Sequence, residues 1–259
     1  MNPTLKYYLG GLLCLPLLPL MYIQAKGIRK RIPSLPEATG NVGITQINDD
    51  KLPLNILILG ESTMAGIGVP THQLGFAGAM AEAFSYQIKR QINWKVFAKS
   101  GYTAKDVNQQ ILPNITNEKP DLILIGLGGN DTFVLNSPRT WSIQIEQMIQ
   151  QLQASFGQVP IVFINMPPIA DFPAFTPLIK MVLGNLVLLH RQALMQLLSS
   201  KKNVYFADEV ITLENWITKK KQTKAEDFFS DGIHPNQLTY QTWGEDIATF
   251  IVKETGLRF

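Results

Sequence analysis

Two uninterrupted apolar runs, Ile56-Leu57-Ile58-Leu59 and Leu122-Ile123-Leu124-Ile125, each end abruptly in a polar, glycine-bearing block. A strand that is apolar at every position must be covered on both faces, and in globular chains that means a parallel sheet held between helical layers. Strand candidates at residues 55–59, 94–98, 122–125, 161–165 and 204–207 alternate with helical patterns around 74–91, 138–156, 178–198 and 237–252. The alternation predicts an α/β protein: a three-layer α/β/α sandwich around a central, mainly parallel five-stranded sheet with right-handed crossovers. Ligands bind such sheets beyond the carboxyl ends of the strands. Ser62, Gly101 and Asn130 each come just after a predicted strand, so the topology brings them to one rim.

The chain has 259 residues, enough for one such domain with a short extension and not for two domains. Residues 7–23 carry no charge and form an N-terminal hydrophobic helix at the lower length limit for crossing a bilayer, above that of a typical signal-peptide core. Pro16 and Pro19 are expected to kink it. The net charge of +3 is unevenly placed, because Lys6, Lys26, Arg29, Lys30 and Arg31 precede residue 32 and no acid does. The remainder is near −2, so the folded domain has no basic stripe for nucleic acid. The cluster Lys219-Lys220-Lys221 with Lys224 reads as a solvated face. Because most of the positive charge lies after the apolar segment, the positive-inside rule makes residues 1–31 an uncleaved inner-membrane anchor with the domain cytoplasmic. The alternative is export, with the segment acting as a signal that is either retained or cleaved after Ala25. Residues 32–53, with Pro33, Pro36, Gly40, Gly43 and Pro53, read as an irregular linker to a domain over 54–259. Cys14 is the single cysteine, which rules out an intrachain disulfide and a cysteine-based metal site.

The chemistry lies in two distant blocks. In Ser230-Asp231-Gly232-Ile233-His234-Pro235 an Asp three residues before a His can orient the imidazole within one short loop. Ser62, released at the tip of a buried strand, stands where a nucleophile meets that imidazole. The expected triad is Ser62, His234 and Asp231. His72 lies in a polar stretch and His190 on a helix as a packed or surface residue; neither has an acid at a comparable spacing. Gly60-Glu61-Ser62-Thr63-Met64 lacks the second glycine of an α/β-hydrolase elbow, and no Gly-Lys-Ser/Thr comes after it to cradle phosphate.

Four blocks in order, Gly60-Glu61-Ser62, Gly101 within Lys99-Ser100-Gly101-Tyr102-Thr103, Gly128-Gly129-Asn130-Asp131 and Asp231-Gly232-Ile233-His234-Pro235, carry a family resemblance. The chain resembles the SGNH or GDSL-type esterases and lipases, with Glu61 where the family usually has Asp. The resemblance implies the flavodoxin-like SGNH fold and cleavage of carboxylic esters, of esterase, lipase or lysophospholipase type, through an acyl-enzyme on Ser62. It implies an oxyanion hole made by the backbone N–H groups of Ser62 and Gly101 and the side-chain amide of Asn130, and no cofactor. Asp131 is expected to be a local structural acceptor. The same triad would serve an acyltransferase, and a membrane-tethered binding protein that has lost catalysis is the reading from another class. The apolar stretch 166–175 is expected to be mostly core; any part of it lining the cleft would suit an acyl chain.

Overall fold

The structure, a computed structural model, describes residues 2–47, 51–221 and 224–256. The outer ends of the expected anchor and domain (residues 1 and 257–259) and residues 48–50 of the expected linker lie outside the described residues. Helices α1 (Pro3–Cys14) and α2 (Leu18–Arg31) come first, separated by a 3-10 turn at Leu15–Leu17 that contains Pro16. Proline lacks the N–H that would continue the helical ladder, and the break falls there.

The strands are β1 (Val42–Ile44), β2 (Leu54–Gly60), β3 (Ile92–Ala98), β4 (Leu122–Gly126), β5 (Ile161–Phe163) and β6 (Val204–Phe206). They form one six-stranded sheet in the order β1-β3-β2-β4-β5-β6, parallel except where β1 pairs antiparallel with β3. The five expected strands are present; the sixth comes from the stretch expected to be irregular. Gly43 permits it, since a Cβ there would come within 2.1 Å of the Trp94 ring. Thr45 then fastens it, its hydroxyl accepting from the Ile92 amide at 2.9 Å and donating to Ser85 Oγ at 2.9 Å. Val42 and Ile44 remain exposed at the sheet edge, so β1 lacks the buried pattern that marks the other strands.

The remaining helices are α3 (Phe76–Ile88), α4 (Ala104–Asp106), α5 (Gly129–Phe133), α6 (Pro138–Phe156), α7 (Pro177–Leu198), α8 (Leu213–Lys220) and α9 (Gln237–Glu254). Side chains alternate across a strand, so Ile56, Ile58 and Leu124 enter the core beneath α3 and α9. Leu57, Leu59, Ile123 and Ile125 enter the opposite core under α6 and α7. Each such fully buried aliphatic side chain contributes roughly 1.5–3 kcal/mol by leaving water. Ser137, Thr176 and Asn236 cap α6, α7 and α9 through side chains that accept a first-turn amide, and a proline opens α6 and α7.

The order of the parallel strands reverses between β2 and β4, which is the switch point where such sheets open a crevice. Register sets the rim, because Gly60 pairs with Ala98 on one side and Gly126 on the other, ending three strands at one level. A Cβ on Gly60 would meet the Gly126 carbonyl oxygen at 2.2 Å, so only glycine lets the two strand ends approach. Immediately beyond, the buried Glu61 carboxylate accepts from the Gly129 amide at 2.7 Å and the Asn130 amide at 2.8 Å, locking the loop after β2 to the start of α5.

Burial pushes the Glu61 carboxyl up to about 8, against the downward pull of the two amides. The native state therefore holds this proton more tightly than the unfolded chain, whose carboxyl titrates near 4.5. The stability it contributes is complete below that value and is lost as pH rises through about 8. We expect the thermal midpoint of the protein to fall, relative to that of Glu61→Gln, between about pH 5 and about pH 9. The variant should also be less stable at the acid end, because its amide nitrogen faces a backbone N–H. Calorimetry across this range checks the expectation: a constant difference between the two midpoints would mean that Glu61 does not titrate in the window.

Candidate active site

The loop before α9 is closed by its own backbone: Phe229 bridges Pro235, and the Ser230 amide donates to the His234 carbonyl at 2.9 Å. Inside this turn Asp231 Oδ1 accepts from the amides of Ile233 at 2.9 Å and His234 at 2.8 Å, leaving Oδ2 to meet His234 Nδ1 at 2.7 Å. Gly232 has φ +86°, and a side chain there would press against Ala174. The Asp231 side chain has no exposure while the imidazole keeps 25 %. Burial alone would raise the Asp231 carboxyl, but the ring and amide donors outweigh it and hold it below the usual range. A carboxylate can only accept, so Nδ1 carries a proton, and in the neutral ring Nε2 then presents a lone pair.

Three contacts bring the Ser62 loop to this turn. Ser230 Oγ donates to the Gly68 carbonyl at 3.1 Å, and the buried Tyr240 hydroxyl donates to the Ile67 carbonyl at 2.7 Å. Gly68 has φ +99° and lies so close to the turn that a Cβ would fall 2.1 Å from the Pro235 carbonyl. The strap before β1 supports the opposite side: the Ala38 amide donates to the Ala65 carbonyl at 3.0 Å, and Glu37 Oε1 accepts from the Ser100 amide at 2.8 Å. Gly101 has φ +85° with nothing near the position of a Cβ, so its backbone faces open space. Asn130 Nδ2 donates to the Tyr102 carbonyl at 2.9 Å, which orients the amide and leaves its second N–H available.

Ser62, Gly101, Asn130 and His234 thus line one cleft of about 1020 Å³, with Asp231 directly behind His234. Pro167, Pro168, Phe172 and Phe175 line it too, while Met166 and Ile169 from the same stretch are buried, so that segment divides between cleft and core. Asp131 is buried and accepts from the Ala104 amide at 2.9 Å and Asn136 Nδ2 at 2.7 Å, a structural acceptor that ties α4 to α5. His190 is buried, stacked on Trp141 with Nε2 at 2.8 Å from the Asn136 carbonyl, and it packs beneath α5. His72, in a stretch that reads as polar, is also buried, because the strap crosses it and accepts its backbone amide at Thr39. Lys219 and Lys220 pair with Asp246 and Glu245 of α9.

Sequence reasoning did not find Glu61 as a clamp, nor Glu37, Gly68 and Tyr240 as supports. It also did not place α2 along the cleft, which Met21, Ala25 and Ile28 line. The one available signal was Glu61 itself, an acid at the end of a run that is otherwise wholly apolar.

Residues 58–242 match the model of the GDSL-like lipase/acylhydrolase family. Esterase TesA of Pseudomonas aeruginosa is 24 % identical over 135 residues, which cover 50 % of this chain and 64 % of that esterase. Among solved structures, the lipase Lip_vut3 from a goat rumen metagenome superimposes with TM-score 0.58 at 18 % identity, covering 76 % of this chain and 96 % of the lipase. A G-D-S-L family lipolytic protein from Veillonella parvula gives TM-score 0.57 at 15 % identity, over 79 % of this chain and 100 % of that one. These structural likenesses concern the fold, whereas the family match runs from within β2, through the Glu61 clamp and Asn130, into α9; the chain belongs to the GDSL-like lipase/acylhydrolase family.

Proposed function

We propose that the protein is a serine esterase in which Ser62 forms the acyl-enzyme, His234 moves the proton and Asp231 holds the imidazole. The observation that carries this reading is the 2.7 Å contact between buried Asp231 Oδ2 and His234 Nδ1, in a turn bonded directly to the loop of Ser62. With Nδ1 protonated, Nε2 accepts the Ser62 hydroxyl proton as Oγ bonds to the ester carbonyl carbon, and it returns that proton to the departing alcohol. Water, activated by the same nitrogen, then releases the acid and restores the serine.

The tetrahedral intermediate places negative charge on the former carbonyl oxygen. In this reading the donors are the Ser62 and Gly101 amides and the second N–H of Asn130, each worth about 3 kcal/mol of barrier. Glu61 supports the third by holding the Asn130 backbone, and Tyr102 by fixing its side chain.

We also infer that the α1–α2 segment tethers the domain to a membrane through the apolar side chains it leaves exposed, among them Leu9, Leu12, Leu13 and Ile23, while its other side packs on the domain. Pro3–Arg31 spans 29 residues, its most apolar 18-residue window has mean hydropathy 1.5, and it is long and apolar enough to cross a bilayer by length and composition. Arg29, Lys30 and Arg31 in its last turn favour the cytoplasmic side for the domain after them.

Ser62→Ala and His234→Ala should each abolish most turnover of a short p-nitrophenyl ester with circular dichroism unchanged, and the double variant should be little worse than either. Near-normal turnover by Ser62→Ala would rule out the serine mechanism. Asn130→Ala should lower kcat by about a hundredfold or more with a smaller change in KM, since its donor acts on charge present only in the transition state. A rise in KM alone would make Asn130 a substrate-positioning residue instead. Reporter fusions at the C-terminus should be active only when the reporter works in the cytoplasm, and mass spectrometry of the purified protein should find the N-terminal segment retained. A mature chain starting near Lys26 would refute the tether.

A further inference from the structure

The cleft beside Ser62 has a wall that does not belong to the sheet domain. Helix α2 runs along it with Met21 and Ile28 only 8 % and 5 % exposed, while Ile23, outside the cleft lining, is 66 % exposed. Met21, Ala25 and Ile28 follow the i, i+4, i+7 spacing of one helical face, and all three line the cleft. The N-terminal segment is fixed in place at two points: Thr176 Oγ1 donates to Gln24 Oε1 of α2 at 2.6 Å, and the Tyr7 hydroxyl of α1 donates to the Leu135 carbonyl at 2.7 Å. Across from α2 stand Phe175, Ile179 and Leu183, so the cleft is polar at the Ser62 end and mainly apolar between α2 and α7, where Arg29 is the charged residue of α2 that lines it.

Resting on the esterase reading above, we propose that α2 is a specificity-determining wall of an acyl groove. Met21, Ala25 and Ile28 contact the chain of a medium- or long-chain fatty acyl ester whose carbonyl lies at Ser62. An acetyl group reaches none of them, whereas each methylene buried along the groove favours binding by roughly fourfold. The volume of about 1020 Å³ is far more than a short acyl group fills. Cleavage after Ala25 would remove Met21 and Ala25 and leave the groove open along one side.

The test compares p-nitrophenyl octanoate with p-nitrophenyl acetate, using the full chain in one detergent. Ala25 is exposed to the cleft, so Ala25→Trp fills open space rather than packed core. It should lower the octanoate-to-acetate ratio of kcat/KM by at least about tenfold, and Ala25→Leu should lower it by a smaller factor. Both values come from one preparation, so partial loss of folded protein cancels in the ratio. Ile23→Ala, on the outer face, should keep the ratio of the unaltered protein. An unchanged ratio in Ala25→Trp with acetate still turned over would overturn the groove and leave the esterase reading standing. An equal fall in Ile23→Ala would overturn it as well, since detergent partitioning would then explain the selectivity. If the unaltered chain hydrolyses neither ester, the esterase reading falls and the groove with it.

Discussion

The arrangement of the cleft depends on one buried carboxyl group. Glu61 bonds two consecutive amides, those of Gly129 and Asn130, across the switch point between β2 and β4. Without it the Gly129 and Asn130 backbone would lose its bonds to the residue next to Ser62, and the Asn130 side chain would be held by the Tyr102 carbonyl alone. Burying a carboxyl is costly, and these two donors offset much of that cost. Glycine at 129 belongs to the same solution, because a Cβ there would come within 2.9 Å of Glu61 Oε1.

The support extends outward in layers. The strap before β1 lies over the loops after β2 and β3, using Ala38 and Glu37, and its own strand is seated by Gly43 against Trp94. On the other side, the turn of Asp231 and His234 is held by residues flanking it rather than by the two themselves. Ser230 and Tyr240 do the holding, and both reach carbonyls in the Ser62 loop. The rim is therefore a set of short loops cross-bonded to one another, with few long side chains left to order themselves around a substrate.

The parallel core was legible because Ile56 to Leu59 and Leu122 to Ile125 are apolar at every position, a pattern that few other arrangements can bury. The Asp231–His234 pairing was legible because both residues lie in one turn, where spacing alone determines reach. The edge strand β1 was not, since three residues at an exposed edge leave no periodic mark. Nor were the contacts of Gly68 with Pro235 or of Tyr240 with Ile67, which join positions far apart in sequence and follow no pattern. The docking of α2 was hidden for another reason. The uncharged run from residue 7 to residue 23 reads as a membrane segment, and the side that α2 turns to the protein is visible only once α7 is in place.

The bond from Tyr240 to Ile67 spans 173 residues of sequence, and that of Ser230 to Gly68 spans 162. During synthesis the proposed nucleophile emerges more than 160 residues before its partner turn, so a growing chain carries one half of the proposed site without the other. If Ser62 and His234 act as proposed, a chain that still lacks this turn cannot hydrolyse an ester. Such long-range closure also slows folding, because the loop entropy must be surrendered before the contact forms. The turn before α9 thus joins the proposed site only after every strand of the sheet has been made.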